Sequence, residues 1–250
     1  MASNISNSVL NWYVDAEDML QDVLRYIPYC LEHKSVWSPK LVTILHEVCS
    51  QLDSLWFYEA KNSQFAKKKE LNISDYFEYY GECMAPKWVV FWGQEPERIQ
   101  PFKSWDNLPA TSYKKEQWKK AFTPEWWKAY QKVKHNRLAN ENVATLECTV
   151  HAVTALFLAI IRSKDCRDGI AQLDWLSDNG MTNGNPQAWL SEDSPATKRK
   201  AIAVESKLFG YAVGWSKETI KKKSIWTGCA SHRFRQWFDQ YESAGEDDKT

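Results

Sequence analysis

The sequence predicts a mainly α-helical bundle with a small β-hairpin inserted in it. Three observations carry that expectation. Apolar residues recur at helical spacing over long windows, Ser-Pro and Thr-Pro pairs mark two helix starts, and one β-branched, aromatic run around residues 87–102 breaks the helical pattern.

From Val9 to His33 the residues Val9, Leu10, Tyr13, Val14, Leu20, Val23, Leu24 and Ile27 fall on one helix face, and Pro28 is expected to kink or end the helix. Ser38-Pro39 reads as an N-cap with proline in the first turn. The helix it opens carries Leu41, Ile44, Leu45, Val48, Leu52 and Leu55 and is expected to end near Asn62. Lys67 to Lys69 marks an exposed linker, and Ser74 is expected to cap a short aromatic helix over Tyr76–Cys83. Lys87–Gly93 has strand character, with Arg98–Phe102 as its partner across a turn.

Thr123-Pro124-Glu125 repeats the cap-plus-proline start, and its helix is expected to run to about Arg137. A polar break at Asn140–Asn142 leads into a long apolar helix, Val143–Arg162, antiparallel to it. Beyond Cys166, Asp178–Gly180, Asn183–Pro186 and Ser194-Pro195 mark loops. Ser206–Trp215 is a short apolar helix or strand, and His232–Tyr241 is amphipathic. The expected organisation is a helical core over 1–165 bearing the hairpin at 87–102, a packed appendage over 166–242, and a disordered tail at 243–250.

Thirty-two basic and thirty-two acidic residues cancel, so net charge exerts no global pull toward nucleic acid. The distribution is uneven: residues 103–137 carry nine basic against three acidic groups, and residues 198–223 carry eight against two. Such runs suit either a phosphate footprint or solvated helix faces. The six cysteines form no CxxC pair, and Cys49 and Cys148 sit in apolar helices, which points to buried thiols. The longest apolar stretch, Val150–Ile161, is too short to span a bilayer, and no signal-peptide pattern opens the chain, so a cytoplasmic protein with no membrane contact is expected. Fourteen tryptophans, spread from Trp12 to Trp237, read as core and interface filler rather than one cage.

Each residue of an ideal helix turns about 100°, which puts Tyr130, Val133 and Arg137 within about 40° of Trp126, and His135 on the opposite side with Lys128 and Lys132. Arg137 would thus end a buried aromatic stripe, with Lys134 on its flank. In the long helix, Glu147 and His151 interrupt the apolar pattern one turn apart. They suit either an i,i+4 pair or an acid–base couple facing a cleft. The sequence contains no HExxH, GxSxG or Walker loop and no zinc-type Cys/His spacing, so neither metal nor cofactor is expected.

Pro101-Phe102 with Trp105, then Pro124-Glu125-Trp126-Trp127 with Tyr130, Val133, Lys134, His135 and Arg137, then Ala144-Thr145-Leu146 with Ala152-Val153 and Leu156-Phe157, resemble uncharacterised bacterial proteins with a HEPN-like helical domain. The resemblance covers about residues 101–160, and Ser206–Phe209 resembles a short late segment of such proteins. It implies a helical bundle, often a homodimer, in a prokaryotic defence or toxin–antitoxin system, acting on or binding RNA or meeting a cognate protein partner or antitoxin. Many members are metal-independent ribonucleases marked by an arginine and, after about four to six intervening residues, a histidine. The histidine moves protons and the arginine holds the phosphate.

On that resemblance His135 and Arg137 are the candidate catalytic pair, and Lys128, Lys132, Lys134 and Asn136 the candidate phosphate ligands. Glu147 and His151 form a secondary pair. The order in Lys134-His135-Asn136-Arg137 is reversed, however, and Arg25 and His33 are separated by seven residues that include Pro28. The alternative functions are a non-catalytic helical interaction module and a small-molecule or nucleotide sensor with a tryptophan-lined pocket.

Overall fold

The computed structural model describes residues 2–61, 63–106, 122–177 and 202–213, together with Ser231, Arg233, Phe234 and Gln236. The helices are α1 (Ala2–Leu24), α2 (Pro39–Ala60), α3 (Ile73–Met84), α4 (Glu125–His135), α5 (Leu146–Arg162) and α6 (Arg167–Gln172). The strands are β1 (Val89–Phe91), β2 (Glu97–Ile99), β3 (Leu176–Ser177), β4 (Ile202–Glu205) and β5 (Phe209–Val213). The chain is mainly helical, and its contacts divide it into two units. One comprises residues 8–89 and 98–160; the other comprises residues 1–7, 90–97 and 161–250.

The first unit is helical. The apolar stripe expected of α2 is fully buried at Leu41, Ile44, Leu45, Val48 and Leu52, and Val150, Val153, Leu156 and Phe157 of α5 are equally inaccessible. Helix α1 begins earlier than its periodicity predicts and ends at Leu24, where Tyr26 and Ile27 both donate backbone N–H groups to the Val23 carbonyl. Pro28 accounts for that stop, because it lacks an N–H and bars Ile27 from helical geometry. Ser38 caps α2 as expected, its hydroxyl accepting from the Leu41 N–H at 3.2 Å. The start of α5 is satisfied by two backbone carbonyls and one side chain: Leu146 and Glu147 donate to the Val36 and Lys34 carbonyls, and Cys148 donates to the Thr145 hydroxyl.

Other helix ends differ from expectation, and α5 starts at Leu146 rather than Val143. Asn72, not Ser74, caps α3, through a reciprocal pair in which Asn72 accepts from Ser74 N–H and Asp75 accepts from Asn72 N–H. Asn72 and Asp75 have the spacing of a capping box, which satisfies two end amides where Ser74 could satisfy one. Pro124 takes the cap position of α4 rather than its first turn, its carbonyl accepting from Trp127 and Lys128. Helix α4 stops at His135, because Asn136 leaves helical geometry (φ −154°, ψ 80°) and Asn140 supplies its side-chain amide to the Lys132 and Asn136 carbonyls. Arg137 therefore does not extend the buried stripe; it is exposed.

The strands expected at residues 87–102 are present, but they do not form a free-standing insertion. They lie at one edge of a five-stranded sheet of order β2-β1-β5-β4-β3. Val90 lies opposite Gly210 and Phe91 opposite Phe209 in antiparallel register, and β4 pairs antiparallel with both β5 and β3. This pairing is why residues 90–97 group with residues 161–250. The apolar segment after Ser206 is thereby a strand; Phe209 N–H donates to the Ser206 hydroxyl at 3.2 Å, closing the β4–β5 turn. Among the described residues no helix is long and apolar enough to cross a membrane. The loops at 178–195, most of His232–Tyr241 and the tail at 243–250 lie outside the described residues.

Candidate functional site

Within the helical unit, α2, α4 and the segment leading into α3 enclose a cleft of about 500 Å³. Asp53 contributes from α2, Asn72 from the α3 cap, and Trp127, Lys128, Gln131 and Lys134 from one side of α4. The three- and four-residue steps from 127 to 134 put these α4 side chains on neighbouring positions of one surface. The hydrophobic stripe holds α4 against α2, so that surface is fixed by packing: Trp126, Trp127, Tyr130 and Val133 are all buried.

Charge in the cleft is arranged around Asp53. The Tyr76 hydroxyl donates to Asp53 Oδ1 at 2.6 Å, and the Lys134 ammonium stands 3.9 Å from Oδ2. Burial first, and then the bond to Asp53, pushes the Tyr76 hydroxyl well above the ordinary tyrosine range, so Tyr76 remains a donor. Tyr130 is raised as well, by burial and then by the Asp53 charge. Lys134 also lies 5.4 Å from the Tyr130 ring centre. Lys128 pairs with Glu125 at 2.6 Å across one helical turn, an exposed pair that a stronger anion can displace.

Of the residues singled out in the sequence, Lys128 and Lys134 come together in this cleft, while Lys132, His135, Asn136 and Arg137 are exposed and do not line it. Asn136 serves the helix end, its side chain accepting from Ala139 N–H at 3.4 Å, and Arg137 donates to the Thr43 hydroxyl at 3.1 Å. Glu147 and His151 line a smaller cavity of about 290 Å³ with Lys103, Ser104, Glu125 and Cys148. Glu147 stands 4.0 Å from the half-buried Lys34. Burial raises the Cys148 thiol, with the Thr145 hydroxyl opposing, so the thiolate needed for nucleophilic work is disfavoured there. Cys49 is fully buried and raised further by the same cause.

Asp53, Asn72 and Gln131 escape a motif search because they lie on three separate elements. A faint signal existed in α2, where Asp53 interrupts the run Leu52, Leu55, Trp56. No family model matches this sequence, and no curated protein or solved structure is significantly similar to it.

Proposed function

We propose that this chain is a HEPN-like protein of a prokaryotic defence or toxin–antitoxin system that binds RNA through the cleft of its helical unit, as a binding module rather than a nuclease. The observation that carries this reading is the meeting of Lys128 and Lys134 in one cleft with Trp127 and the amides of Asn72 and Gln131. Two cations provide for phosphate, and amides provide for base edges in single-stranded RNA. A volume of about 500 Å³ suits one nucleotide. The resemblance to HEPN-like proteins runs through α4, the helix that supplies Trp127, Lys128, Gln131 and Lys134 to this surface. The binding reading is also favoured by Arg137, which is engaged with Thr43 rather than grouped with His135 in a pocket.

The sensor alternative called for a cavity lined by several tryptophans. The described clefts offer one each, Trp127 and Trp126, and both rings are buried.

Fluorescence anisotropy with a labelled single-stranded oligoribonucleotide tests the reading. The double variant Lys128→Ala/Lys134→Ala is expected to bind about tenfold or more weakly at low salt. Its slope of log affinity against log salt should be shallower by about 1.4, or about 0.7 for each lost phosphate contact. Unchanged affinity and slope would remove RNA binding from this cleft. In the presence of a chelator, total RNA is expected to stay intact with the wild-type protein and with His135→Ala alike. Cleavage that His135→Ala abolishes would replace the binding module with a ribonuclease.

A further inference from the structure

The cleft also holds a pattern of donors and acceptors that discriminates among bases, an inference that rests on its being the RNA site. Asp53 presents a carboxylate, which only accepts hydrogen bonds, and its side chain is 30% exposed. Tyr76 at 2.6 Å from Oδ1 and Lys134 at 3.9 Å from Oδ2 set its orientation. A carboxylate has about four lone-pair sites, so these two neighbours leave it able to accept further donors. Tyr76, held protonated, keeps donating and adds no negative charge beside it. Gln131 lines the same cleft, and among the described residues its amide makes no hydrogen bond. An oriented acceptor pair and an uncommitted amide donor thus face one space.

We propose that the cleft is selective for guanine, with Asp53 accepting from N1–H and the N2 amino group while the Gln131 amide donates to O6. Guanine is the base whose Watson–Crick edge sets two adjacent donors beside a carbonyl acceptor. A carboxylate takes two parallel donors at once, the geometry it uses with a guanidinium. Adenine and cytosine each offer one amino donor beside a ring-nitrogen lone pair, which would face the second carboxylate oxygen. Uracil offers one N–H between two carbonyls, and both repel the carboxylate. Lys128 stands at the same cleft for the phosphate, exchanging its exposed Glu125 partner for a phosphate oxygen.

Isothermal titration of the full chain with GMP, IMP, AMP and UMP tests this. GMP is expected to bind about tenfold or more tightly than AMP or UMP, the scale of one hydrogen bond to a charged group. IMP, which keeps N1–H and O6 but lacks the amino group, should fall between. Asp53→Asn is expected to lose about tenfold or more for GMP without weakening AMP, whose ring nitrogen then faces an amide donor in place of a carboxylate oxygen. Because Asp53 also anchors Tyr76, Gln131→Ala provides a second variant at a half-buried side chain that makes no hydrogen bond among the described residues, and it should weaken GMP more than AMP. Equal affinity for all four nucleotides, or GMP binding unchanged in both variants, overturns guanine selectivity. If Lys128→Ala/Lys134→Ala still weakens RNA in that case, the RNA site stands without base choice. If neither nucleotide nor RNA binds, both readings fall.

Discussion

Replacing Trp56 by alanine is expected to cost about 3–5 kcal/mol of folding stability, read from urea denaturation with an unchanged m-value. Trp56 is fully buried, and its ring meets five others: Tyr76 and Tyr80 at 5.1 Å, Phe102 at 5.5 Å, Trp105 at 6.1 Å and Trp127 at 6.4 Å. These rings come from α3, α4 and the turn at 102–105, so one side chain of α2 joins three other segments. A cavity at such a junction collapses poorly, because each wall is held by its own helix or turn. The Trp56 Nε1–H is buried and, among the described residues, finds no acceptor. Trp56→Phe removes that orphan donor, an offset of about 1–3 kcal/mol, and should therefore cost much less than alanine. A loss under about 1 kcal/mol for Trp56→Ala would show that the cluster can close on itself.

Gly210→Ala is expected to cost about 1–3 kcal/mol, and Gly210→Val more, through overpacking. Gly210 lies in β5 opposite Val90 on one side and Glu205 on the other. A Cβ there would stand 2.7 Å from Trp92 Nε1 and 2.8 Å from Phe234 Cε2. These two rings meet edge to face at 4.9 Å, leaving no room between them for a methyl group. Removing glycine also stiffens the unfolded chain, which returns about 0.4–1 kcal/mol and sets the lower bound of the effect. The loss should appear in the denaturation midpoint together with a changed near-ultraviolet circular dichroism band as Trp92 moves. A neutral or stabilising Gly210→Ala would mean that Trp92 and Phe234 part freely.

Much of the helical unit is legible in the sequence. Ser38-Pro39 and the stripe from Leu41 to Leu55 define α2 almost to the residue, because capping and burial act on the same segment. The strand at 89–91 is visible as a β-branched and aromatic run, and the one at 97–99 only as its partner across a turn. The pairing of β1 with β5 is not visible, since the register of Val90 on Gly210 joins residues more than a hundred positions apart, and only tertiary packing sets it.

The site was legible in part. Lys128 and Lys134 stand out as cations one face apart on an amphipathic helix. Asp53 and Gln131 join them only because α4 packs on α2. The helical-wheel position of Arg137 failed for a local reason: Asn136 and Asn140 end α4 early, and a four-residue asparagine spacing next to the helix end could have signalled it.

The aromatic cluster has one more consequence, which is optical. Trp105 and Trp127 each lie within 6.4 Å of Trp56, and Trp126 lies 5.7 Å from Trp127. At such separations excitation hops among indoles faster than it decays, so light absorbed by any of the four emerges from whichever has the lowest excited state. Trp127 walls the cleft, and a quenching base beside it would darken the emission of rings that it never touches.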